Sequence, residues 1–184
     1  MSEKYKIQNQ DKLYFVTFAV VGWIDVFTRR EYKDLLVESL KHCQKEKGLE
    51  VYAWCIMSNH VHLIVGREGE LKIEEIIRDF KKFTSVQLAR AIEASMGESR
   101  REWMLELFSR AASDSKKHVK YMFWQNEYHP VELSTNEMMG QRLNYIHNNP
   151  IETGIVDKAE EYLYSSARDY YSDMKGLLDL KFIG

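Results

Sequence analysis

At 184 residues, 45% of them hydrophobic, the chain has the size of one domain, 1–184, with enough apolar side chains for a substantial core. A net charge of −2 excludes a uniformly basic coat for nucleic acid, while leaving room for charge gathered on one face. No stretch reaches the roughly 18 apolar residues a membrane span needs. The two cysteines, Cys43 and Cys55, make no CxxC pair, and the polar Met1–Lys6 is unlike a secretion signal, so a cytoplasmic protein is expected.

Residues 12–21 are rich in aromatic and β-branched side chains and stop at Gly22, which reads as a first strand. From Arg30 to Lys47 apolar residues recur at Tyr32, Leu35, Leu36, Leu40 and Cys43, a helical spacing closed by Gly48. Residues 50–57 form a second strand, and Ser58-Asn59 is turn chemistry, so a hairpin into the apolar run 60–65 is expected. A long helix follows from Leu71 to about Met96, with Ile73, Ile76, Ile77, Phe80 and Phe83 on one side. Helical spacing resumes over 98–112, and His129–Leu133 reads as a short strand entered through Pro130. Ser134-Thr135-Asn136-Glu137 matches a capping box opening a last main helix, which Pro150 is expected to end. A short amphipathic piece spans 162–171, and the last residues look ready to fray. The order β-α-β-β-α-β-α predicts an α+β fold: a ferredoxin-like antiparallel sheet, helices packed mainly on one face, and the 60–65 strand inside it.

Two spacings carry chemistry. His60 and His62 are i, i+2, so in a strand their imidazoles share one face while Val61 and Leu63 take the other. Two imidazoles on one rigid strand are half of a metal site, and equally the ordinary pattern of two hydrogen-bonded histidines. Tyr145 and Asn149 are i, i+4 and share a helix face. Each has a common structural use as well, a half-buried aromatic and a helix-end residue. His118, His129 and His147 are unassigned, with structural or solvent roles expected and His129 the one expected nearest the site.

The hairpin 54–65 with its His60-Val61-His62 resembles the His-hydrophobic-His (HUH) motif of the single-tyrosine transposases. Tyr145-Ile146-His147-Asn148-Asn149-Pro150-Ile151-Glu152-Thr153-Gly154 is similar to the Tyr-Ile-x-x-Asn-Pro-x-x-x-Gly signature of their REP-associated branch. Trp124-Gln125, the run 79–84 and Tyr164-Ser165-Ser166 match in order as well. The resemblance implies that His60, His62 and Asn149 hold a divalent metal, Mg or Mn, and that Tyr145 is the nucleophile. It implies cleavage and rejoining of single-stranded DNA near hairpins through a 5′-phosphotyrosine link, by a monomer or a homodimer. A free phenol titrates near about 10 and is a weak nucleophile at neutral pH, so a cation on the scissile phosphate makes chemical sense.

For DNA contact, residues 78–120 hold ten Lys or Arg against six Asp or Glu, a local excess of four within a chain of net −2. Lys81, Lys82, Lys116 and Lys117 are the expected phosphate contacts, and Arg142, one turn before Tyr145, is placed to touch the scissile phosphate. Tyr121, Phe123 and Trp124 suit either base stacking or the core. Besides the enzyme, two other readings fit: a domesticated, non-catalytic DNA-hairpin binding protein, and an unrelated metallohydrolase using His60 and His62.

Overall fold

The structure, a computed structural model, describes residues 7–115, 119–126 and 128–182. The elements run β1 (Tyr14–Ala19), α1 (Arg30–Lys47), β2 (Leu49–Ile56), β3 (His60–Arg67), α2 (Ile73–Ala94), α3 (Arg101–Asp114), β4 (Val131–Glu132), α4 (Asn136–Glu152) and α5 (Ala167–Tyr171). The strands form one antiparallel sheet in the order β2-β3-β1-β4. The histidine strand β3 is therefore interior, and the fold is α+β as the element order predicts.

Strand alternation sorts the side chains into two faces. Val16, Phe18, Val61, Leu63 and Val65 share one, because Phe18 pairs with Val61 and Val16 with Leu63. All five are buried, and Phe18 meets Phe80 of α2 at 6.0 Å between ring centroids. Helix α2 offers Ile73, Ile76, Ile77, Phe80, Thr84 and Leu88 to this layer, a stripe at i, i+3, i+4 spacing, and α1 packs beside it. Helix α1 ends where Gly48 turns left-handed at φ 70° and gives its N–H to the Cys43 carbonyl. A side chain there would also strike the Glu68 carbonyl, so glycine is required twice over.

The opposite face carries Phe15, Thr17, Ala19, His60, His62 and Ile64 and is crossed by α4. Three of the four long helices thus lie away from the histidines, with α3 packed on α2 and on the turn Val21–Trp23. The start of α3 is fixed by a buried carboxylate: Glu98 accepts from Arg29 at 2.8 Å and from Arg100 at 3.0 Å. Those bonds, Arg100 first, hold Glu98 down at about 2. Residues 98–114 therefore brace the loop after β1, since Arg100 also donates to the Asp25 carbonyl at 2.8 Å.

Three local expectations need correction. The N-cap of α4 is Thr135, whose hydroxyl accepts the Met138 N–H at 3.2 Å; the helix starts one residue later than a Ser134 cap would place it. Pro150 lies inside the last turn of α4 and does not end it. Proline removes one N–H and restrains one preceding residue, which a final turn tolerates, and the chain leaves through Thr153 N–H on the Asn149 carbonyl at 3.1 Å. The tail is not frayed through its described length. Tyr164–Ser166 pairs along the outer edge of β2, with Ile56 N–H on the Tyr164 carbonyl and Ser166 N–H on the Trp54 carbonyl, both 2.9 Å. Lys181 N–H reaches the Val51 carbonyl at 2.9 Å, so an edge that would invite strand addition is already covered.

Candidate active site

His60 and His62 project side by side from β3, ring centroids 4.5 Å apart. His62 sits deeper, 3% exposed, stacked on Phe15 of β1 at 5.5 Å and 22°. Helix α4 lays Tyr145 and Asn149 over this pair from one face, one turn apart. Asn149 Nδ2 is 3.4 Å from His62 Nε2, and the Tyr145 ring stands edge-on to His62 at 5.1 Å and 68°. Tyr145 also meets Phe15 edge-on at 6.0 Å, so one phenylalanine is the floor under both the imidazole and the phenol. Tyr145 is 41% exposed, which leaves it open to an incoming strand. The Arg142 guanidinium covers the Phe15 ring at 4.8 Å, and its charge is felt at His62.

The imidazoles are neutral at physiological pH. Burial holds His62 down to about 3, with the neighbouring His60 and Arg142 adding to it. Burial also lowers His60, against a smaller upward pull from Asp25. Hydrogen bonds then decide which ring nitrogen is free. Asn59 gives its amide N–H groups to two pure acceptors, the Trp23 carbonyl at 3.2 Å and the Asp25 carboxylate at 3.1 Å. Its amide oxygen therefore faces His60 Nδ1 at 2.7 Å and accepts a hydrogen bond from Nδ1–H. The lone pair of His60 is left on Nε2. His62 Nδ1 meets the Thr17 hydroxyl at 2.8 Å, from the residue directly opposite on β1. In the tautomer that donates Nδ1–H to Thr17, His62 presents its Nε2 lone pair toward Asn149 Nδ2. Ring nitrogens anchored on the far side in this way are what metal-binding histidines require.

The donor set fits a divalent cation with open positions: two neutral imidazole nitrogens and an amide that can turn its oxygen inward. Among the described residues no group of three or more His, Cys, Asp or Glu side chains is placed to hold a metal ion, so the third donor here is the Asn149 amide.

Helix α4 is itself pinned by His147, which is buried and points away from the site. Its Nε2 meets Ser166 Oγ at 2.7 Å and its Nδ1 meets the Tyr171 hydroxyl at 3.0 Å. Ser166 Oγ in turn accepts the Trp54 N–H at 2.9 Å. Burial holds His147 at about 4, so it is a neutral anchor, in line with the structural role expected of it. His129 is exposed, just ahead of β4.

The predicted DNA contacts divide. Arg142 is at the site. Lys81 donates to the Gln125 carbonyl at 2.9 Å and leans over the Phe18 and Tyr128 rings, tying α2 to the segment before β4. Lys82 lines the groove between α1 and α2, across the sheet from the histidines. Lys116, Lys117 and His118 lie outside the described residues. Phe123 and Trp124 are core, with Trp124 Nε1 donating to Thr84 Oγ1 at 2.9 Å.

The family model of IS200-like transposases matches residues 16–107, half of the chain. The chain belongs to the IS200-like transposase family. At the coarse level it is thereby a DNA-acting transposase. The match takes in β3 with His60 and His62, while α4 lies beyond it. Among solved structures, a REP-associated tyrosine transposase bound to a REP hairpin superposes with a TM-score of 0.65 at 19% identity, over 100% of both chains. A Deinococcus radiodurans protein provisionally assigned as a transposase aligns with a TM-score of 0.43 at 19% identity, covering 79% of this chain and 96% of its own. The first likeness establishes the shared fold. No curated protein matches the chain significantly. Among the described residues no helix is long and apolar enough to cross a membrane.

Asp25, Thr17, Asn59 and Phe15 all shape this site, and sequence reasoning missed them. Thr17 could have been found by pairing the first strand against the histidine strand in register. Phe15 and Asp25 carry no signal of their own, and Asn59 reads only as turn chemistry.

Proposed function

We propose that this IS200-like transposase cuts and rejoins single-stranded DNA next to a hairpin, with Tyr145 as nucleophile. The observation that carries the reading is the convergence on one face of the sheet of an exposed phenol, two adjacent imidazoles and the Asn149 amide. The Tyr145 oxygen bonds to phosphorus, the bond from phosphorus to the 3′-oxygen breaks, and the phenol proton is balanced by the 3′-hydroxyl released. The product is a 5′-phosphotyrosine link, which conserves the energy of the broken bond and lets a 3′-hydroxyl reverse the step without a nucleotide.

His60, His62 and Asn149 would hold Mg²⁺ or Mn²⁺, the nitrogen donors favouring Mn²⁺ and cellular supply favouring Mg²⁺. Bound there, the ion would neutralise charge on the scissile phosphate and on the leaving oxygen. Arg142 orients the same phosphate, and Phe15 keeps the phenol and His62 in register. The relative solved with its REP hairpin supports the choice of a hairpin as substrate.

The test is a labelled DNA hairpin with single-stranded flanks, incubated with the protein and Mn²⁺ and run on a denaturing gel. A covalent protein–DNA band is expected, absent with Tyr145→Phe and with His60→Ala. Binding by His60→Ala is expected to survive, because phosphate contacts elsewhere supply most affinity. Tight binding with no band under any metal would leave a non-catalytic hairpin binder. Cleavage that persists in Tyr145→Phe would indicate a metallohydrolase.

A further inference from the structure

We propose that Trp23 is a nucleobase-binding subsite on the rim of the active site, stacking on a base beside the scissile phosphate. The inference rests on the proposed function and adds a residue to it. Three observations meet at this side chain. Trp23 is 56% exposed, although a tryptophan ring gains more from burial than almost any other group. Its ring stands beside His60, centroids 5.8 Å apart at 70°, so it lies within one nucleotide of the imidazole pair. Its backbone has φ 54°, and among the described residues it is the one non-glycine with positive φ. That conformation suits glycine and disfavours a bulky residue. Gly22, the neighbour, is left-handed too, at φ 66°.

The surrounding loop holds the ring out rather than letting it fold in. Trp23 N–H bonds to the Val20 carbonyl at 3.0 Å, and its own carbonyl accepts from Asn59. Two residues on, Asp25 accepts from Ser58 Oγ at 2.6 Å and from Asn59, and Arg100 clamps its carbonyl. The Phe27 N–H reaches the Ser58 carbonyl at 2.8 Å. The same Asn59 that sets the His60 tautomer therefore also sets the position of Trp23. A strand presented to His60 and Tyr145 must pass this ring, and an exposed, rigidly mounted indole is the sequence-tolerant way to hold a base of a single strand. The other exposed tryptophan, Trp103 on α3, has no such backbone.

The experiment uses the full chain and the flanked DNA hairpin of the cleavage assay, with abasic residues walked through the flanks one position at a time. Trp23→Ala is expected to weaken binding and adduct formation by about 5- to 150-fold, the range for losing one stacked base. One abasic position next to the cut is expected to weaken the wild type by a similar factor and to leave Trp23→Ala unchanged. Trp23→Phe should recover most of the loss. Trp23→Gly should bind as poorly as Trp23→Ala with a Tm equal to or above that of the wild type, because glycine accepts the backbone. A packing residue would instead lower Tm along with binding. The inference is overturned if Trp23→Ala binds and reacts within about two-fold of wild type, or if every abasic loss multiplies with the Trp23→Ala loss. If the wild type cuts the hairpin and those results appear, only the Trp23 subsite falls. If the wild type neither binds nor cuts it, the proposed function falls and takes the subsite with it.

Discussion

On one face of the sheet Phe18, Val61 and Leu63 pack into α1 and α2, where the buried polar Thr84 is matched by Trp124 Nε1. On the other face, at alternate positions of the same strands, Thr17, His60 and His62 meet α4 through hydrogen bonds and ring edges. The first face is held by area removed from water and tolerates change in proportion to volume lost. The second is held by directional bonds, each of which also sets the chemistry of a neighbour. A single backbone thus separates stability from reactivity by nothing more than the two-residue period of a strand.

Removing Phe18 is the sharpest way to test that separation. It touches Phe80, Trp124 and Tyr128, so Phe18→Ala is expected to lower unfolding free energy by about 3–5 kcal/mol in urea titration. DNA cleavage per folded molecule should stay near wild type. Loss of cleavage without loss of stability would break the division between the faces.

Acid tests the histidine side. His62 and His147 are held at about 3 and about 4 by burial, below the value of roughly 6.5 that each regains on unfolding. Between those values the unfolded chain binds protons that the folded chain refuses, so stability rises with pH in this window. It is complete above about pH 7, falls as the pH drops through about 6.5, and keeps falling toward the folded values. At pH 5 each of the two should account for about 2 kcal/mol, read as a lower Tm with divalent metal chelated. A Tm that is flat from about pH 7 to about pH 5 would mean that these rings are not buried neutral.

A smaller effect is expected from the loop that orients His60. Asn59→Ala removes the oxygen that takes the Nδ1 proton, and the Mn²⁺ concentration needed for half-maximal cleavage should rise about 10- to 100-fold. Binding of the hairpin without metal should fall by less than in Trp23→Ala, because Asn59 also holds the Trp23 carbonyl while the backbone of that turn keeps its other bonds. An unchanged metal requirement would make Asn59 a turn residue only.

What could be read ahead of the fold was what local periodicity encodes. The pairing of His60 with His62 and of Tyr145 with Asn149 follows from repeats of two and of four residues, and both survive in three dimensions. The partners that tune them are distant in the chain. Thr17 meets His62 across 45 positions, and Asn59 meets Asp25 across 34, so neither is visible without strand register and loop closure. The expectation that Lys81 contacts phosphate rests on charge, which does not tell which face a helix turns outward; in the fold its ammonium donates to the Gln125 carbonyl. Trp23 carried no signal at all, since it follows a glycine that reads as a simple strand stop, and only its φ and its exposure mark it out.

The central claim is that one phenol, Tyr145, reacts at the histidine pair. The most direct test is to digest the covalent protein–DNA adduct and find the nucleotide-bearing peptide by mass spectrometry. The account predicts the phosphonucleotide on Tyr145, and no adduct from His62→Ala at any Mn²⁺ concentration. A nucleotide on any other residue, or full adduct yield from Tyr145→Phe, would contradict it.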